Sequence, residues 1–118
     1  MILLRKEIKR IEVKRLIDIE TLQQMNIPQK IALTKHARQR LEERVIKIAD
    51  IVEAINTGEI IKQYENDTPL PSCLILGTSM KNGAIHIVVS HDDDFIYLIT
   101  AYYPTSEQWE DDFKTRKG

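Results

Sequence analysis

The order of apolar and polar positions changes character once along the chain, from helical spacing to strict alternation, near residue 58. Residues 2–24 carry apolar side chains at Leu4, Ile8 and Ile11, then at Val13, Leu16, Ile17 and Ile19. That is a broad stripe close to the helical period, with no Gly or Pro before Pro28. Like-signed charges stand four apart at Lys6/Arg10 and Arg10/Lys14, so a helix here needs support from the domain or from a partner. Met25–Leu33 reads as a connector, broken by Pro28. Thr34 suits an N-cap, and Lys35–Val45 follows as a helix in which Leu33, Ala37, Leu41 and Val45 recur every fourth residue as the buried stripe. A third helix is expected over Ala49–Asn56, with Ile51, Val52 and Ile55 inward and Gly58 as a left-handed cap.

Beyond Gly58 the period is two. Glu59–Glu65, Ser72–Leu76, Ala84–Ser90 and Phe95–Tyr102 read as strands. They are separated by the two-proline turn Asn66–Pro71, the hairpin turn Lys81-Asn82-Gly83 and the acidic turn Asp92–Asp94. Ala84–Ser90 sets Ile85, Ile87 and Val89 on one face and His86, Val88 and Ser90 on the other. Phe95–Tyr102 is apolar on both faces, which predicts a central strand. Pro104 ends it, and Ser106 is expected to cap a last short helix holding Trp109 and Phe113. The order predicts an α+β fold: N-terminal helices packed on a four-stranded antiparallel sheet, with a short C-terminal helix. Residues 1–32 form a helical extension to one α+β domain over 33–118.

Composition narrows the class. Of 118 residues, 42% are hydrophobic and 30% charged, the balance of an ordinary globular domain that needs no metal or disulfide to fold. One cysteine, Cys73, excludes a disulfide framework and a multi-cysteine zinc site. No apolar run approaches 18 residues, so a membrane span is excluded. The start MILLRKEIKR meets a charge after four residues, unlike a secretory signal, and a cytoplasmic location is expected. The net charge of −1 averages two unlike parts. Residues 1–44 hold 11 Lys and Arg against 6 Asp and Glu, and residues 45–118 hold 6 against 12. The first part can offer a basic face to phosphates, or the acidic part can dock on it.

Walker, Rossmann, HExxH and nucleophile-elbow motifs are missing, so no cofactor is expected. His36, Arg40 and Arg44 recur every fourth residue, one position round the helix from its buried stripe. RNA cleavage without a metal needs a base for the 2′-hydroxyl, an acid for the departing 5′-oxygen, and cationic donors for the phosphorane. Histidine and arginine supply these groups. The row can act if it faces the sheet edge carrying His86, Thr100 and Tyr102. The same residues suit plainer uses, with Arg40 and Arg44 paired to Glu42, Glu43 or sheet carboxylates and His36 capping or packing. His86, His91 and Asp92–Asp94 could bind a divalent metal, although Asp is equally a turn residue. Ser72 lacks a nucleophile context, and Cys73 reads as inert core. Tyr102, Tyr103, Trp109 and Phe113 suit either base stacking or core packing.

The series KHARQRLEER, AINTGEIIKQY, PSCLILG, AIHIVVS and LITAYYPTSEQWEDDF resembles, over residues 33–116, the bacterial family of domain of unknown function 4258. That family is similar to the superfamily of small ribonucleases grouping barnase, EndoU, colicin nucleases and RelE-like toxins. The resemblance implies N-terminal helices before a four-stranded antiparallel sheet, and metal-independent RNA cleavage. It implies the toxin of a toxin–antitoxin pair, with RNA as substrate and a cognate antitoxin protein as partner, relatives being encoded beside zinc-ribbon antitoxins. The site residues it implies are His36, Arg40, Arg44, His86, Thr100 and Tyr102. The acidic second part departs from the basic character usual in ribosome-dependent toxins. Two other classes stand beside this one: a non-catalytic module that binds protein or nucleic acid, and a metal-dependent hydrolase.

Overall fold

A computed structural model describes residues 16–118. The helix expected over 2–24 lies outside the described residues as far as residue 15; within them, α1 spans Ile19–Gln24. Ile17, Leu22 and Met25 from this segment are buried in the main core. Asn26 anchors the following turn, its amide donating to Val52 O at 2.7 Å and Asn56 Oδ1 at 2.9 Å.

The supposed connector is not wholly irregular. A single 3-10 turn, Pro28–Lys30, leads into strand β1, Ile31–Leu33. Helix α2 then spans Lys35–Arg44, capped as expected by Thr34, whose hydroxyl accepts from Ala37 N–H at 2.9 Å. Ala37 and Leu41 are buried. Val45 departs from the expected stripe. It is 74% exposed and sits at φ 55°, ending α2 in the left-handed conformation that glycine usually takes. Helix α3 spans Ile48–Thr57; Asp50 accepts from Lys47 N–H at 2.8 Å at its start and from the buried Ser79 hydroxyl at 3.2 Å.

Strands β2 (Glu59–Tyr64), β3 (Ser72–Ser79), β4 (Gly83–His91) and β5 (Ile96–Tyr102) follow. The sheet has five strands rather than four, in the order β1-β5-β4-β3-β2. It is mixed: β2 to β5 run antiparallel, and β1 joins β5 in parallel, Ile31–Leu33 beside Ile96–Leu98. The strand expected to be central, β5, is interior but lies beside the short β1, and β4 holds the middle.

The two helices α2 and α3 cover one face, where Cys73, Ile75, Ile85, Ile87, Val89, Leu98 and Ala101 are all buried. Gly58 is not a left-handed cap: its backbone is extended, with φ −90° and ψ 166°. Glycine is required there, and at Gly77, by close approach. A Cβ at either position would stand 2.3 Å from the Ala54 carbonyl oxygen of α3. The expected C-terminal helix does not form. Residues 103–118 build turns closed by an antiparallel bridge between Trp109 and Arg116, with Glu110 N–H donating to Thr115 O at 2.8 Å. Ser106 therefore caps no helix; the amides of Gln108 and Trp109 both bond to Thr105 O instead.

Candidate functional site

The second face of the sheet carries most of the candidate chemistry. Register puts Leu76, His86 and Tyr102 side by side, and Leu74, Val88 and Thr100 in the next row. Alternation sets these on the face away from α2 and α3. The C-terminal turns lie over part of it.

Arg44 links the helix row to this face. Strand β1 covers the outer edge of β5 only as far as Leu98. Beyond that, Arg44 Nη1 donates to Ala101 O at 2.7 Å and to Thr100 Oγ1 at 3.3 Å. The guanidinium thus stands in for a missing ladder donor, one residue from Tyr102. A charged donor makes such bonds stronger than a neutral one would.

His36 and Arg40 keep their hydrogen bonds within α2. Arg40 Nε makes a long contact of 3.4 Å to His36 Nε2, and Arg40 Nη1 pairs with Glu43 at 3.3 Å. The two arginines therefore divide: Arg40 takes the intrahelical pairing with Glu43, whereas Arg44 reaches oxygens of the sheet. The His36 ring is exposed, with its Nε2 turned toward Arg40.

His86 is brought to Tyr102 and away from solvent. It is fully buried, with Nε2 2.7 Å from Phe113 O and Nδ1 3.2 Å from the Tyr102 hydroxyl. A carbonyl only accepts, so Nε2 carries the proton and Tyr102 donates to Nδ1. Trp109 packs edge-on against the imidazole at 4.5 Å. Burial pushes the His86 pKa down, opposed by its bond to Phe113. Burial likewise raises the Tyr102 hydroxyl, against smaller opposing effects of Arg116 and Arg44. At neutral pH this pair is uncharged, and in this arrangement His86 acts on a substrate only through Tyr102.

The remaining candidates have structural partners. Asp92 accepts from the amides of Asp94 and Phe95, both at 2.8 Å, and from the Tyr97 hydroxyl. The Tyr97 bond, then the amides, hold its carboxyl below the usual range. His91 Nδ1 bonds to Asp92 O at 2.9 Å. Ser72 donates to Asp67 in a buried setting. Cys73 is fully buried, and desolvation pushes its thiol up to about 12, which agrees with an inert core residue.

Sequence reasoning missed a set of cations beside Tyr102. Lys62, Tyr64, Leu74, Tyr102, Trp109, Lys114 and Arg116 line a cleft of about 330 Å³ between β2 and the C-terminal turns. The visible signal was the pair Lys62 and Tyr64, two apart on a strand and hence on one face. Lys114 and Arg116 gave none, because the helix expected there points them elsewhere.

Residues 33–103 match the model of the family described as Domain of unknown function (DUF4258), and the chain belongs to that family. No curated protein and no solved structure matches the chain.

Proposed function

We propose that the protein is a metal-independent endoribonuclease, the toxin of a toxin–antitoxin pair, acting on RNA bound at the β5 edge of the sheet, where Arg44 of α2 meets the face that carries Tyr102. The observation that carries this reading is Arg44. Its guanidinium is fixed by Thr100 Oγ1 and Ala101 O beside Tyr102, so a helix cation and a sheet hydroxyl share one edge. A RelE-like fold belongs to the same proposal, supported by two helices preceding the antiparallel run β2 to β5.

In this mechanism His36 takes the proton of the 2′-hydroxyl, whose oxygen attacks phosphorus as the bond to the 5′-oxygen breaks. Arg40 and Arg44 neutralise the phosphorane, using guanidinium N–H groups not spent on protein oxygens. Thr100 and Tyr102, the latter held by His86, orient the substrate, and solvent water protonates the leaving 5′-oxygen. A cyclic 2′,3′-phosphate and a free 5′-hydroxyl result. An antitoxin would inhibit by covering the same face.

A second reading has its own support: both ring nitrogens of His86 are engaged in structure and the ring is wholly buried. That favours a module that binds RNA or protein without cutting. RNA cleavage in EDTA by wild type, His36→Ala and Arg44→Ala separates the two. Loss of at least about tenfold in both variants, a transition-state contribution of about 1.4 kcal/mol each, is expected. Binding of RNA without cleavage by wild type puts the binding module in its place.

A further inference from the structure

The cleft beside Tyr102 has a composition that the catalytic reading leaves unused. Three cations and three aromatic rings line it, with Leu74 at its floor. Lys62 Nζ stands 5.4 Å from the Tyr64 ring centre, and the Arg116 guanidinium stands 5.5 Å from that of Trp109. Lys114 is paired with Glu59 at 2.6 Å. Among the described residues neither Lys62 nor Arg116 has a carboxylate within salt-bridge distance. The cleft therefore carries positive charge next to flat apolar surface. Cations alone suit any anion; cations interleaved with rings suit a phosphate joined to a base. A volume of about 330 Å³ lies at the small end of ligand pockets, near 300–1,000 Å³, which fits one nucleotide better than an extended cofactor.

Tyr102 belongs to both places: it lines the cleft, and it lies two residues along β5 from Thr100, about 7 Å on the same face. A strand whose scissile phosphate rests on Arg44 and Thr100 reaches the cleft with its neighbouring nucleotide.

We propose that this cleft is a subsite for one nucleoside monophosphate unit of the RNA strand, its phosphate on Lys62 and Arg116 and its base against the Tyr64 ring. The identity of the strand rests on the ribonuclease reading; the binding does not. The subsite makes Lys62 and Arg116 binding residues, outside the catalytic set.

Trp109 is the only tryptophan of the chain, so its fluorescence reports on the cleft. The experiment titrates the full chain with adenosine monophosphate, and separately with adenosine and inorganic phosphate, with calorimetry beside fluorescence. Wild type is expected to show saturable binding of adenosine monophosphate, tighter than either fragment. Lys62→Ala, at an exposed position, is expected to weaken it at least about fivefold with an unchanged melting temperature. On RNA, Lys62→Ala is expected to raise KM and leave kcat alone. No saturable binding, equal affinity for inorganic phosphate, or equal affinity in Lys62→Ala overturns the subsite. Nucleotide binding without RNA cleavage keeps the subsite and removes the ribonuclease reading; cleavage without nucleotide binding does the reverse.

Discussion

The two faces of the sheet are built from the same strands and do different work. The face under α2 and α3 is filled by Ile75, Ile85, Ile87 and Val89, each fully buried, and approached by helix backbone so closely that Gly58 and Gly77 admit no Cβ. The opposite face carries His86, Thr100 and Tyr102 and is covered by short turns rather than helices. The first face gains its stability from area and close packing. The second holds polar groups that must be paired one by one, and it leaves a charged cleft beside them. Chemistry collects where packing does not need the side chains.

The largest expected effect breaks the first face. Ile87→Ala, at the centre of β4, should cost about 2–5 kcal/mol in chemical denaturation, through lost burial and an unfilled cavity. Next, Gly77→Ala drives a methyl group into the backbone of α3 and should cost about 1–3 kcal/mol or more, since backbone cannot step aside as a side chain can. In the opposite direction, Val45→Gly should stabilise by about 1 kcal/mol, because a β-branched residue at φ 55° is strained and its exposed side chain contributes little. A Val45→Gly melting temperature at or below wild type would show that the strain is relieved elsewhere.

The smallest effect sharpens the second face through pH. Burial depresses the His86 pKa below its usual 6.5, so the unfolded chain binds the proton more readily than the folded one. The stability tied to neutral His86 is complete above pH 6.5 and is lost as pH falls through the lower, folded value. Asp92 and Asp112 also have depressed values, but from 3.8, so their loss comes at more acid pH. The melting temperature should therefore begin to fall below pH 6.5, with a flatter slope in His86→Gln. An identical slope in both proteins would remove His86 as the cause.

What the sequence makes legible follows the range of the forces involved. Thr34 and the Ala37/Leu41 stripe act within one helix, and the alternation of Ile85, Ile87 and Val89 acts within one strand, so α2 and β4 were plain. Strand β1 has three residues, too few to alternate, and exists only because β5 offers an edge to it. A helix is expected where the C-terminal turns stand because Ser106 and Trp109 fit one locally, whereas Trp109 is held by His86 from a strand more than twenty residues earlier. In the site, the His36–Arg40–Arg44 periodicity is visible. Its division into an intrahelical pair and a sheet contact is not, since the sheet contact depends on where β1 stops covering β5.

The most direct measurement is RNA cleavage in EDTA by wild type beside Arg44→Ala, with Thr57→Ala as a folding control remote from α2 and β5. Thr57→Ala removes the hydroxyl that donates to Glu53 O and accepts from Thr78 N–H, should cost about 1 kcal/mol, and should still cleave. Wild type should cleave, and Arg44→Ala should lose at least about tenfold while remaining folded by circular dichroism. Full cleavage by Arg44→Ala, or none by wild type, would contradict an RNA-cleaving second face.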